Sequence, residues 1–133
     1  MLKIIIFVEY KFKTTIMKKI YFLKSCSTCQ RILKEIDAEV NNFELQNIKV
    51  DRITSVQLEE MRQRAGSYEA LFSRTAMKYK ALNLKDKNLN EEDYKTYILD
   101  EYTFLKRPVS IIGDGIFIGN SKKVIEALKT ALD

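Results

Sequence analysis

The chain has no histidine, one proline, four glycines and two cysteines in 133 residues. Without histidine there is no Ser-His-Asp triad, no His-bound zinc and no imidazole general base. Two cysteines cannot complete a four-thiolate zinc site within one chain. That would take a second chain or carboxylate ligands, so no metal site is expected. So little proline and glycine leaves no low-complexity stretch to set aside, and no internal repeat is present. The apolar runs are short as well. Ile4-Ile5-Ile6-Phe7-Val8 spans five residues and Ile20-Tyr21-Phe22-Leu23 four, too few to cross a bilayer and few even for a signal-peptide core. The expectation is a cytoplasmic protein with no membrane partner. In that reducing compartment a cysteine pair is more often reactive or metal-binding than a structural staple.

What is present suits one hydrophobic core. Charge is plentiful but diffuse, with 23 Lys+Arg against 18 Asp+Glu. Arg62 and Arg64 are flanked by Glu59, Glu60 and Glu69, and Lys85 and Lys87 alternate with Asp86. This reads as a solvated surface, and no direct nucleic-acid partner is expected.

The periodicity sketches the elements. Ile20 to Leu23 reads as a buried strand ending at a polar turn, Lys24-Ser25. Cys29, Leu33, Ile36 and Val40 then fall on one helical face, with Ile32 beside them. Phe43, Leu45 and Ile48 suggest a second strand, parallel to the first through a βαβ crossover. Thr54 or Ser55 caps a helix carrying Leu58 and Met61 and ending near Gly66. Leu71-Phe72 is a packing anchor, and Leu82 with Leu84 marks a short element. Asn90 and Asp93 form a cap before an apolar stripe of Tyr94, Tyr97, Ile98, Tyr102 and Leu105. Val109–Ile112 and Ile116–Ile118 read as a hairpin about Asp114-Gly115. Asn120 or Ser121 opens a closing helix with Val124, Ile125, Leu128 and Leu132. The plan is α/β, a mixed sheet flanked by helices.

Cys26-Ser27-Thr28-Cys29 lies where the first strand gives way to a helix. Free N–H groups at a helix start stabilise a thiolate and also cradle an oxyanion, so Cys26 becomes a nucleophile near neutral pH without any histidine. Cys29 shares a face with Leu33 and Ile36 and should be the more buried. The pair is therefore asymmetric: Cys26 attacks and Cys29 can resolve an adduct. The plainer alternative is that both cysteines are small core residues.

The segment from Ile20 to Arg31 resembles the first strand and active-site loop of the arsenate reductase-like branch of the thioredoxin superfamily. That branch takes in glutaredoxin-linked arsenate reductases and redox-sensing regulators of RNA polymerase. Leu71-Phe72-Ser73-Arg74, with Tyr79 and Leu82, resembles its arginine-containing central segment, and Arg107-Pro108-Val109 its Arg-Pro-Ile/Val signature. The resemblance implies a thioredoxin-like mixed four-stranded sheet flanked by helices, with a helical insertion (about 54–105) between strands two and three. It implies a single domain over 17–133, with 1–16 an N-terminal extension beyond the family's usual start. By the same resemblance Cys26 is the cysteine that attacks arsenate, Arg107 and Arg74 bind the oxyanion, and Pro108 is cis beside the reactive cysteine. Two features depart from the pattern of the reductases. Asp114 to Gly119 contains no arginine where those enzymes carry one, and Cys29 stands where they have no second cysteine.

Two functions follow. One is a thiol oxidoreductase of the arsenate reductase type, acting on a small oxyanion or thiol substrate. It would hold no bound cofactor, and its reductant would be Cys29, glutathione, glutaredoxin or thioredoxin. The other is a non-enzymatic regulator that binds RNA polymerase and senses oxidation through a Cys26–Cys29 disulfide.

Overall fold

The computed structural model describes residues 16–133; the expected N-terminal extension lies outside them except for Ile16. The first strand, β1 (Lys18–Phe22), is central and covered on both faces. Ile20 and Phe22 pack with Cys29, Ile36, Phe43 and Leu128, while Tyr21 packs on the opposite face with Ile48, Leu58 and Met61. Burial on both faces makes the strand read as a continuous apolar run with no alternation.

Helix α1 (Ser27–Glu35) follows and buries Cys29 and Ile32. It is shorter than the apolar spacing predicts. Ile36 is its C-cap and Asp37 turns into the left-handed region at φ 48°. Asn41 Nδ2 closes the end by donating to the carbonyls of Ile36 (2.7 Å) and Asp37 (3.2 Å). Such local side-chain bonds compete with further helix. Val40, expected on the buried face, is consequently 79% exposed.

Strand β2 (Glu44–Asn47) pairs parallel with β1, Ile20 opposite Leu45. It is an edge strand, so Leu45 is exposed, while Phe43, Gln46 and Ile48 are buried. The buried Gln46 amide is satisfied by Gln57 (2.9 Å, Gln57 donating) and by the Asp51 carbonyl (2.9 Å).

Between β2 and the third strand lies the helical insertion. Helix α2 (Ser55–Ala65) opens with a capping box, Thr54 with Gln57, and stops at Gly66 with φ 95°, a conformation that glycine adopts without strain. A 3-10 turn (Glu69–Leu71), the short α3 (Met77–Ala81) and a second 3-10 turn (Leu84–Asp86) lead to α4 (Glu91–Asp100), capped by Asn90 with Asp93. Of the two leucines that mark the short element, Leu84 is buried and Leu82 is 46% exposed at the end of α3. The predicted stripe from Tyr94 to Leu105 is also broken: α4 ends at Asp100, and Tyr102–Phe104 form a third 3-10 turn. Phe72 gathers the insertion, with ring centroids 4.9 Å from Tyr94, 5.1 Å from Phe104 and 6.0 Å from Tyr79.

Strand β3 (Val109–Ile112) runs antiparallel to β1, and β4 (Gly115–Ile118) antiparallel to β3. The hairpin turns one residue earlier than the Asp-Gly signal suggests. Gly113 and Asp114 form it, and Gly115 pairs with Ile112. Gly113 supplies the positive φ of 57° at the first turn position, where a two-residue loop admits glycine. Helix α5 (Lys122–Leu132), capped by Ser121, closes the chain. The result is a mixed four-stranded sheet in the order β2-β1-β3-β4, flanked by helices, with the insertion between strands two and three.

Candidate active site

The sheet topology brings two helix starts to one end of the molecule. β1 and β4 are both antiparallel to β3, hence parallel to each other. The helices that follow them, α1 and α5, therefore begin at the same end, where β3 also begins, preceded by Arg107-Pro108. Positive helix termini at one end favour negative charge there.

Cys26 is the N-cap of α1, in extended conformation (φ −89°, ψ 113°). Its backbone N–H donates to the Leu23 carbonyl at 3.0 Å. The loop is fixed further by Gln30 Nε2 donating to the Lys24 carbonyl (3.0 Å) and by the Lys24 N–H donating to Asn47 Oδ1 (3.3 Å). The pair has the burial asymmetry that helical spacing predicts: Cys29 is buried and Cys26 is half-exposed. Partial burial pushes the Cys26 thiol up, but four effects outweigh it and hold it below the ordinary thiol value: the Cys29 N–H, the Cys29 S–H, the Thr28 N–H and the Arg107 guanidinium. The Cys29 thiol is pushed up to about 11, chiefly by burial, and further by the neighbouring Cys26 sulphur.

Cys26 opens on a cleft of about 350 Å3 that also takes in Thr75, Lys106, Arg107, Asn120 and Ser121. The Arg107–Pro108 peptide bond is cis. The Gly119 N–H donates to the Pro108 carbonyl at 2.9 Å, and Asn120 Nδ2 donates to the Arg107 carbonyl at 3.5 Å, so the β4–α5 junction holds the segment that carries Arg107. Ser121 Oγ accepts from the Val124 N–H (3.2 Å) at the start of α5.

Arg74 is placed differently. Its guanidinium donates to Tyr94 Oη at 3.1 Å, lies 3.6 Å from Glu69 Oε2 and sits over the Tyr94 ring at 5.7 Å. It does not line the cleft that holds Cys26 and Arg107; its neighbour Thr75 does. Lys106, Thr75, Asn120 and Ser121 are cleft residues that the sequence reading did not single out. Lys106 adjoins the Arg-Pro signature, and in the sequence Asn120 and Ser121 signal only a helix start. The place of Asn120 and Ser121 at the site depends on β4 being parallel to β1. A larger groove, about 560 Å3, lies along α1 and the edge strand, lined by Phe22, Leu33, Val40 and Leu45, and does not include Cys26. Among the described residues no group of His, Cys, Asp and Glu is placed to hold a metal ion, and no helix is long and apolar enough to cross a membrane.

A mixed four-stranded sheet with a thiol at the start of the helix after its first strand defines a thioredoxin-like protein. Within that class the chain belongs to the ArsC family, whose model matches residues 21–128. The uncharacterized protein YusI of Bacillus subtilis is 22% identical over 102 residues, covering 74% of this chain and 86% of YusI. Among solved structures, the arsenate reductase from Vibrio cholerae superposes with a TM-score of 0.71 at 16% identity, over 86% of this chain and 97% of that one. SACOL0876 from Staphylococcus aureus superposes with a TM-score of 0.69 at 25% identity, over 84% and 97%.

Proposed function

We propose that this protein is a thiol-dependent reductase of the arsenate reductase type, with Cys26 as its nucleophile. The observation that carries the reading is the half-exposed Cys26 thiol sharing one cleft with the Arg107 guanidinium. The Cys26 thiolate attacks the arsenic of a bound arsenate. An As–O bond breaks, the oxygen leaves as water with two protons, and a Cys26–S–As bond forms. A second thiol then attacks the Cys26 sulphur, and the S–As bonding pair passes to arsenic, giving arsenite and a Cys26 disulfide. Arg107 and Lys106 hold the anion, and the first N–H groups of α1 favour both the thiolate and the charge on the oxyanion. Lys106 stands in this reading where the chain lacks the arginine after the hairpin. Arg74, tied to Glu69 and Tyr94, is left to brace the insertion.

An external thiol such as glutathione, or a glutaredoxin or thioredoxin, resolves the adduct better than Cys29 does. A buried thiol held near 11 is almost wholly protonated at neutral pH, and only the thiolate attacks. In this reading Cys29 is a positioning residue whose S–H donates to the Cys26 thiolate.

The test is alkylation of Cys26 as a function of pH, with and without arsenate, alongside arsenite production with glutathione and glutaredoxin. The expected result is a titration below the ordinary thiol value of about 8.5, protection by arsenate, and arsenite release. An ordinary titration with no protection would falsify the proposal.

A further inference from the structure

Of the residues that line the thiol cleft, Thr75 alone comes from the helical insertion. A short antiparallel strap brings it there. Phe72 bridges Leu105, the Ser73 N–H donates to the Phe104 carbonyl at 2.7 Å, and the Lys106 N–H donates to the Leu71 carbonyl at 2.9 Å. Leu71, Phe72 and Leu105 have no exposed surface, so the strap is anchored in the core. It holds the chain that leads into Thr75 alongside the chain that leads into Lys106 and Arg107.

The Thr75 hydroxyl is aligned as well as placed. Its Oγ1 lies 3.0 Å from Ser73 Oγ, and distance alone allows either to donate. Burial decides between them. Ser73 is buried, and neither hydroxyl has another hydrogen-bond partner among the described residues. Were Thr75 the donor, the Ser73 O–H would be left buried without an acceptor, which is costly. Ser73 is therefore the donor, and Thr75 accepts while keeping its own O–H for the cleft. No carboxylate lines that cleft to compete for it.

We propose that Thr75, and not Arg74, is the residue by which the insertion holds the substrate oxyanion, with Ser73 aligning it. The proposal rests on the reading of Cys26 and Arg107 as the oxyanion site and adds a neutral donor to that site. Arg74 is one residue away but is occupied by Glu69 and Tyr94. A hydroxyl that donates to an anion forms one of the stronger hydrogen bonds without bringing a charge of its own. Lys106 and Arg107 supply the charge. Ser73 touches no substrate and acts through Thr75, so it is a positioning residue.

The full-length chain is alkylated with iodoacetamide, the modified cysteine is identified by peptide mass, and the arsenate concentration that halves the Cys26 rate is measured. Each variant is referred to its own rate without arsenate. Thr75→Val removes the hydroxyl and keeps the shape. It should raise the protecting concentration about tenfold, the order of one hydrogen bond to a charged group. Thr75→Ser keeps the donor and should stay within about threefold of the parent. Ser73→Ala should raise the concentration about threefold by itself and change nothing further on Thr75→Val, because the two act as one unit. Equal protection of Thr75→Val and the parent overturns the proposal. An equal loss in Thr75→Val and Thr75→Ser assigns the effect to packing and overturns it too. A loss from Ser73→Ala that persists on Thr75→Val removes Ser73 from its role. A parent chain that arsenate does not protect overturns the oxyanion reading itself, and the place of Thr75 with it.

Discussion

Two side chains, Cys29 and Arg107, set the reactivity of Cys26 together with backbone N–H groups, and each leaves a separate signature. The Cys29 S–H is one donor to the thiolate, while the N–H groups of Thr28 and Cys29 persist whatever side chain stands at position 29. Cys29→Ala should therefore raise the Cys26 titration but leave it below that of a free thiol. Cys29→Ser, which keeps a donor, should raise it less. Iodoacetamide rates against pH distinguish the two, and indistinguishable profiles would remove Cys29 from its positioning role. Arg107 contributes a charge within the cleft. Arg107→Ala should weaken arsenate protection by about tenfold or more, since hydrogen bonds to charged groups contribute about 1.5–3 kcal/mol. Arg107→Lys should recover part of this. Arg74→Ala should leave protection within about twofold and cost at most about 1 kcal/mol of stability, the range of an exposed ion pair.

Caps and insertion packing act at the level of elements. Thr54→Ala removes the capping box of α2, and Ser121→Ala the cap of α5; each should cost about 1 kcal/mol in urea unfolding. Only the second loosens a helix start that borders the thiol cleft. Ser121→Ala should thus also weaken arsenate protection, while Thr54→Ala leaves it unchanged. Phe72 has no exposed surface and carries the ring contacts of the insertion. Phe72→Ala should cost about 3–5 kcal/mol, read as a shift of the urea midpoint. These caps were legible in the sequence because a cap is a contact over three residues. The ends of α1 and α4 were not. The side chain that closes α1 is Asn41, six residues beyond its last helical residue, and the stripe past Asp100 continues in a 3-10 turn whose spacing mimics a helix.

For the molecule as a whole, alkaline stability is lowered by buried groups that hold their protons, foremost Cys29 and Tyr21 and in the same direction Tyr68 and Tyr94. Cys29 is pushed up to about 11 by burial, and Tyr21, whose hydroxyl is buried without a hydrogen-bond partner, to about 12, by burial first and then by Glu60 and Glu44. Both groups keep their protons longer in the folded state than in the unfolded chain. Above the ordinary thiol range the unfolded chain binds fewer protons, so stability falls as pH rises through roughly 9 to 12, Cys29 acting up to about 11 and Tyr21 up to about 12. Urea midpoints over that window should drop in the parent protein, and the drop should be smaller in Cys29→Ser. An equal drop in both would show that Cys29 does not contribute. The sequence by itself determined the strand–Cys-x-x-Cys–helix unit, the mixed α/β plan and the two central caps, because each rests on periodicity or on contacts a few residues apart. Only the tertiary structure decided which groups stand around Cys26. Lys106, Thr75, Asn120 and Ser121 line the cleft that Cys26 opens on, and Arg74 stays with Tyr94, because β4 runs parallel to β1 and the insertion folds around Phe72. Both are pairings between residues far apart in the chain, which no local pattern encodes.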